Sequence, residues 1–254
     1  MKRLFLVTMI LVLSLSSVAF SAPPGNYNVD DNEDSNKAKV YVIHGIPGKD
    51  LGLDETLPVD VLVNNSLCLL KGFKFGQIVG PVSLKAGTYN IKISLANTAT
   101  PCSNTAVINA DVPFNAREKA TVIAHLTEAG APTASKYINN VSRLYGNLAR
   151  VTIRHNAAAP TVDIGVSTKL GDMYFSSKIP GLSNPDQVGP ARLAARSYDV
   201  TLYPAGTDTA VFGPTTLKLK GQNAYFVYAV GSLSMETFTY IVHSIDLSPD
   251  DDDD

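Results

Sequence analysis

Two histidine–aspartate pairs are the residues of this chain best suited to chemistry: His44 with Asp60, and His155 with Asp163. Each His closes a strand-like run, and each Asp sits inside the next one, V-D-V at 59–61 and V-D-I at 162–164. If the two runs lie side by side, the imidazole can donate to the carboxylate, which is two-thirds of a hydrolase triad. The third member has no signal, because no G-x-S-x-G elbow occurs in the sequence. The structural reading is a hydrogen-bonded tie between strands, each polar group satisfying the other in a half-buried site. Duplication favours the tie, since catalysis seldom needs the same site in both halves. We therefore expect His44–Asp60 and His155–Asp163 as structural polar pairs and assign no catalytic residue.

Other candidates carry less. The four histidines, His44, His125, His155 and His243, show no H-x-x-x-H or H-E-x-x-H spacing, so no metal site is expected. Gly45 to Lys49 (G-I-P-G-K) is too short and too proline-bound to cradle phosphate, and no cofactor is expected. Asp50, Asp54 and Glu55 fall in an insertion, Gly48–Thr56, which reads as a solvated loop tip. Asp30, Asn32 and Asp34 alternate like a calcium loop, but Ser35 replaces the required Gly and Tyr41 the closing Glu. Tyr225, Tyr228 and Tyr240 could line an aromatic strip, or be half-buried strand positions with the hydroxyl at the rim. Cys68 and Cys102 are the only cysteines. In an exported chain they are expected to form a disulfide, present in one half only and so serving stability.

The elements that must position these residues are β-strands. Val79–Ile93 (V-G-P-V-S-L-K-A-G-T-Y-N-I-K-I) returns as Val188–Leu202 (V-G-P-A-R-L-A-A-R-S-Y-D-V-T-L), with Gly-Pro, Leu and Tyr matched at one constant offset. A duplicated segment containing a turn implies two copies of one folding unit. Short runs rich in β-branched and aromatic residues fill both copies, from Lys39–His44 to Lys136–Val141 and from Arg150–His155 to Thr237–Ile245. In Tyr89–Leu95 the apolar Tyr89, Ile91, Ile93 and Leu95 alternate with Asn90, Lys92 and Ser94, the period of a strand with one buried face. About seven strands per unit, no sustained helical repeat and frequent turns predict an all-β protein of two tandem antiparallel sandwiches. The expected division is 38–145 for the first repeat and 146–247 for the second, joined tightly enough to fix their angle.

The ends read differently. Lys2-Arg3, an apolar run to about Leu15, and small residues up to Ser21 describe a secretory signal peptide over residues 1–21. An acidic linker, 22–37, follows, and a run of Asp makes 248–254 a disordered acidic tail. With 21 Lys and Arg against 23 Asp and Glu and no basic cluster, the chain is not expected to bind nucleic acid. No apolar run after the leader is long enough to span a bilayer, so no membrane insertion is expected once the signal is cleaved.

One family shares this pattern. Each unit has a strand ending in His, then Pro, then Val-Asp-Val or its variant, then Gly-Pro and the Leu-to-Tyr segment. The residues are His44, Pro47, Val59-Asp60-Val61, Gly80-Pro81 and Leu84–Tyr89, then His155, Pro160, Val162-Asp163-Ile164, Gly189-Pro190 and Leu193–Tyr198. The chain resembles a tandem pair of the domain of unknown function 4397 family, secreted and cell-surface bacterial proteins. The resemblance implies an immunoglobulin-like or transthyretin-like sandwich and brings no chemistry. Arg196 replaces the turn Gly87 in the second copy. The reading is a non-catalytic, extracytoplasmic protein, periplasmic, surface-bound or secreted, that binds an unknown protein or envelope component or serves as structure. The alternatives are a carbohydrate or small-ligand module, weakened by the absence of Trp, and a hydrolase built on a His–Asp pair.

Overall fold

The computed structural model describes residues 35–248. The signal peptide, nearly all of the acidic linker with Asp30, Asn32 and Asp34, and the Asp run of the tail lie outside them. Alternation in the sequence becomes sixteen strands. The first half holds β1 (Lys37–His44), β2 (Val59–Val63), β3 (Leu67–Phe73), β4 (Ile78–Lys85), β5 (Gly87–Leu95), β6 (Ala106–Phe114), β7 (Lys119–Leu126) and β8 (Pro132–Ile138). The second holds β9 (Leu148–His155), β10 (Val162–Leu170), β11 (Met173–Leu182), β12 (Gln187–Ala194), β13 (Ser197–Pro204), β14 (Phe212–Lys218), β15 (Asn223–Val230) and β16 (Thr239–Asp246). The sheets are β4-β1-β7-β8 with β3-β2-β5-β6, then β12-β9-β15-β16 with β11-β10-β13-β14. One order is used twice, as the duplication requires.

Two expectations need correcting. Each half has eight strands, not seven: β3 and β11 read poorly because they are edge strands with little alternation and a left-handed glycine, Gly72 at φ 58° and Gly181 at φ 72°. The sandwiches are also not purely antiparallel. β1 runs parallel to β7, and β9 to β15. No crossover helix is needed, because the chain returns through the opposite sheet. Consecutive β1 and β2 lie in different sheets, unlike the first two strands of an immunoglobulin sandwich. Of the two expected types, the immunoglobulin-like one does not match this order.

The repeated Gly-Pro has a steric cause. At Gly80 φ is 136° and an added Cβ would sit 2.7 Å from Val40 O; at Gly189 φ is 103° and the distance to Val151 O is 2.6 Å. Both mark the bulge where the register of β1–β4 and of β9–β12 shifts. The repeated Tyr also has one task. Tyr89 OH donates to Lys85 O (3.0 Å) and Tyr198 OH to Ala194 O (3.1 Å), closing the turn before each strand. That turn survives Arg196, which takes the place of Gly87 without a left-handed backbone.

Each sandwich has its own core, with Val59, Val61, Ile93 and Leu126 in the first and Val162, Ile164 and Leu202 in the second. A further core joins the halves. Ile43, Ile123 and Tyr137 of one sheet pack with Phe226, Tyr228, Val230 and Ile241 of the other. The central strands β7 and β15 are therefore covered on both faces. Their near-continuous apolar runs, A-T-V-I-A-H-L and A-Y-F-V-Y-A-V, are the sequence mark of that state. The described residues, 35–248, fall in one compact unit. The halves thus share a buried apolar seam in addition to their short junction.

Candidate functional site

The expected His–Asp pairs do not form. His44 and Asp60 lie on strands of different sheets, and both polar groups bond to backbone. His44 Nε2 donates to Leu57 O (2.9 Å) while Nδ1 accepts from Ile46 N (3.2 Å). His155 repeats this with Pro160 O (3.2 Å) and Ala157 N (3.4 Å). The arrangement requires a neutral ring, since a second ring proton would face a backbone N–H. Burial holds His44 down at about 4, against a weaker upward pull from its bond to Leu57 O. Burial lowers His155 as well.

The aspartates act as backbone latches. Asp60 accepts from Gly72 N (2.9 Å), Asn97 N (3.1 Å) and Cys102 N (2.8 Å). Asp163 accepts from Gly181 N and Gly206 N, each at 2.9 Å. Burial raises the Asp60 carboxyl, but the N–H groups of Cys102, Gly72 and Asn97 and the charge of Lys71 together outweigh it, and the net shift is down. Asp163 is lowered mainly by its bonds from Gly206 and Gly181. In the first half a disulfide reinforces the latch, because Cys68 of β3 is bonded to Cys102 beside Asp60.

The sequence reading missed Arg154. It is fully buried in the seam, and the partners of its guanidinium are neutral: Gln187 Oε1 (3.0 Å), Tyr228 OH (2.5 Å), Ile138 O (3.1 Å) and Asn139 Oδ1 (3.0 Å). The rings of Tyr137, Phe226 and Tyr228 lie 4.5, 4.8 and 5.2 Å from its central carbon. The available signal was the pair of unbroken apolar runs, which require a covering layer. The tyrosine strip does not form either. Tyr228 is buried in the seam, while Tyr225 points the other way, its hydroxyl accepting from Lys220 N (2.8 Å), and Tyr240 is exposed.

One histidine does meet a hydroxyl. His125 Nδ1 donates to Leu126 O (2.8 Å), so Nε2 accepts from Ser135 Oγ (2.8 Å). No carboxylate orients this ring, burial holds it down at about 4, and neither residue lines any of the four cavities described. It is a tie of the seam. Asp50, from the insertion, likewise bonds across to Thr237 Oγ1 (2.5 Å). Among the described residues no three His, Cys, Asp or Glu side chains converge as metal ligands would, and no helix is long and apolar enough to cross a membrane.

The concave site open to solvent lies on the outer face of β11-β10-β13. It measures about 360 Å³, with Tyr174 at one end and Tyr203 at the other. Ser167, Ser176 and Thr201 supply hydroxyls between them. Lys178 Nζ lies over the Tyr203 ring (4.5 Å) and bonds to Thr207 O and Asp208 Oδ1 (2.5 and 2.9 Å). The floor is Gly165, where an added Cβ would come within 2.8 Å of Tyr203 Cε2. In the first sandwich the matching register positions hold Leu62 and Ser94, so the pocket belongs to the second half alone.

Comparison with known proteins adds a family. The model of the domain of unknown function DUF4397 matches residues 38–165, from β1 through the whole first sandwich and into β10. The chain belongs to the DUF4397 family. The repeated sheet order makes it a tandem arrangement of the DUF4397 fold. No curated protein matches the chain. Among solved structures, a candidate cell adhesion protein from Bacteroides ovatus is similar at 8% identity and TM-score 0.26, over 85% of this chain and 99% of that one. The Bacillus anthracis TIE protein is similar at 11% identity and TM-score 0.21, over 78% of this chain and 33% of that one.

Proposed function

We propose that this DUF4397 protein is a non-catalytic, extracytoplasmic binding module whose second sandwich takes a neutral saccharide on its outer face. The observation that carries the reading is the 360 Å³ pocket walled by Tyr174 and Tyr203. Phenol rings present apolar faces to the C–H side of a sugar ring, and their edges and the neighbouring hydroxyls serve its oxygens. Lys178 is neutralised by Asp208, with Asp163 Oδ2 a further 3.9 Å away, so the site favours an uncharged ligand. The non-catalytic part rests on the use of the four ring and carboxylate motifs as backbone ties. The extracytoplasmic part rests on the disulfide and the leader-like start of the sequence. Division into repeats at Tyr145–Gly146 belongs to the same reading.

The test is a glycan array with the protein lacking residues 1–21, followed by calorimetry on the hits. Tyr203→Ala should abolish binding and Gly165→Ala should weaken it. An array without hits, or hits indifferent to Tyr203 and Tyr174, overturns the saccharide. A second reading has its own observation. Leu170, Met173, Tyr174 and Phe175 stand exposed on the β10–β11 hairpin, which suits a protein partner.

A further inference from the structure

The two sandwiches differ inside as well as outside. Between the sheets of the first, the cavity is about 30 Å³. The second holds an apolar slot of about 210 Å³ on the side of β11 and β12. It continues past Ile153, Val200 and Leu217 into a smaller space of about 50 Å³ beside β14 and β16. There Thr215 Oγ1 and Tyr240 OH meet at 3.1 Å.

The duplication supplies an internal control for this void. Strand register matches Val82 to Ala191, Ile91 to Val200 and Phe114 to Leu219, each a loss of carbon in the second half. Leu69, which fills the first cavity from the bulge in β3, has no counterpart. Along the slot itself the gains are one methylene each at Ile153 and Leu217, in place of Val42 and Val112, while Ile164, Phe212 and Thr215, in place of Val61, Ile108 and Ala110, narrow the smaller space beyond it. Tyr225 replaces Ala120 but does not line the slot. The matching space of the twin is about 30 Å³ against about 210 Å³ here, so the slot follows from this copy's side chains. Apolar cavities of about 150 Å³ stay dry and take up apolar ligands.

We infer that the slot of the second sandwich binds a single unbranched alkyl chain. Stacked sheets lie about 10 Å apart, so a void made by trimming one layer of side chains is thin and long, suited to a chain and not to fused rings. No charged side chain lines it, and the Tyr198 hydroxyl on its wall is held by Ala194 O. The chain alone is therefore recognised, whatever polar group it carries. This site lies on the opposite face of β10 and β11 from the saccharide pocket, shares only Val166 and Ser177 with it, and does not depend on that reading.

Decanol and decanoate titrated into the protein, followed by methyl NMR, test the inference. Both ligands should bind, with contacts from the chain to Ile153, Val200 and Leu217 methyls. Ala191→Leu should weaken both at least tenfold. If that variant does not fold, Ala191→Val with Leu219→Phe restores residues of the twin and should do the same. Failure of either ligand to bind, contacts confined to Met173 and Phe175, or binding unchanged in a folded filled variant would overturn it.

Discussion

Replacing His243 with Phe isolates one buried imidazole. His243 stands in the seam at 8% exposure, its ring 4.2 Å from Tyr41 and 6.0 Å from Phe226, and Nδ1 has no hydrogen-bond partner among the described residues. Burial, helped by the charge of Arg154, holds it down at about 4. Below pH 6.5 the unfolded ring takes up a proton that the folded ring refuses until about 4. Its contribution to stability is thus lost as pH falls from 6.5 towards 4. At pH 5 the loss is about 2 kcal/mol, from roughly 1.5 pH units at 1.36 kcal/mol each. Phe keeps the ring contacts and removes both the proton and the unsatisfied nitrogen. Urea unfolding followed by circular dichroism should show His243→Phe equal to or above wild type at pH 7.5. At pH 5.0 its relative gain should be about 2 kcal/mol larger. Between pH 7.5 and 5.0 His44, His125 and His155 add slope of the same sign. A difference between variant and wild type that does not change with pH would refute the reasoning.

Removing the disulfide by Cys68→Ala and Cys102→Ala should cost about 3.5–4 kcal/mol on the chain-entropy argument for a closed loop of 34 residues, measured as a shift in urea midpoint. Arg154→Ala leaves the buried Tyr228 OH and Asn139 side chain without their guanidinium partner in the seam and should cost about 1–3 kcal/mol, the desolvation cost of a buried polar group left unpaired. Arg154→Lys should recover little of it, because one ammonium cannot reach partners set by a planar fork. Asp60→Asn weakens three bonds from backbone N–H groups and should cost at least about 1.5 kcal/mol at pH 7. A carboxyl with a lowered folded value contributes above its unfolded value and loses that contribution as pH falls through the folded one. The Asp60→Asn deficit should therefore close in acid below about pH 4, read by the same unfolding curves.

Legibility followed sequence distance. The period of two in Tyr89–Leu95, the repeated Gly-Pro and Tyr, and two cysteines in one half are local or countable. They give strands, duplication and the Cys68–Cys102 bond without coordinates. The His and Asp residues were legible as polar groups in need of partners, but the partners themselves were not. His44 and Asp60 look adjacent in sequence order, whereas the chain changes sheets between them and both bond to backbone that no pattern marks.

By itself, then, the sequence determined an all-β tandem fold of the DUF4397 type, with a stapled first half. Only the tertiary structure decided that two sheets face each other across a buried Arg154. It also decided that Gly165 and Tyr203 form a pocket and that the second interior is underfilled. The reason is physical: alternation tells each residue which face it takes, but cross-strand register and sheet-to-sheet packing set its neighbours, and these join segments far apart in the chain.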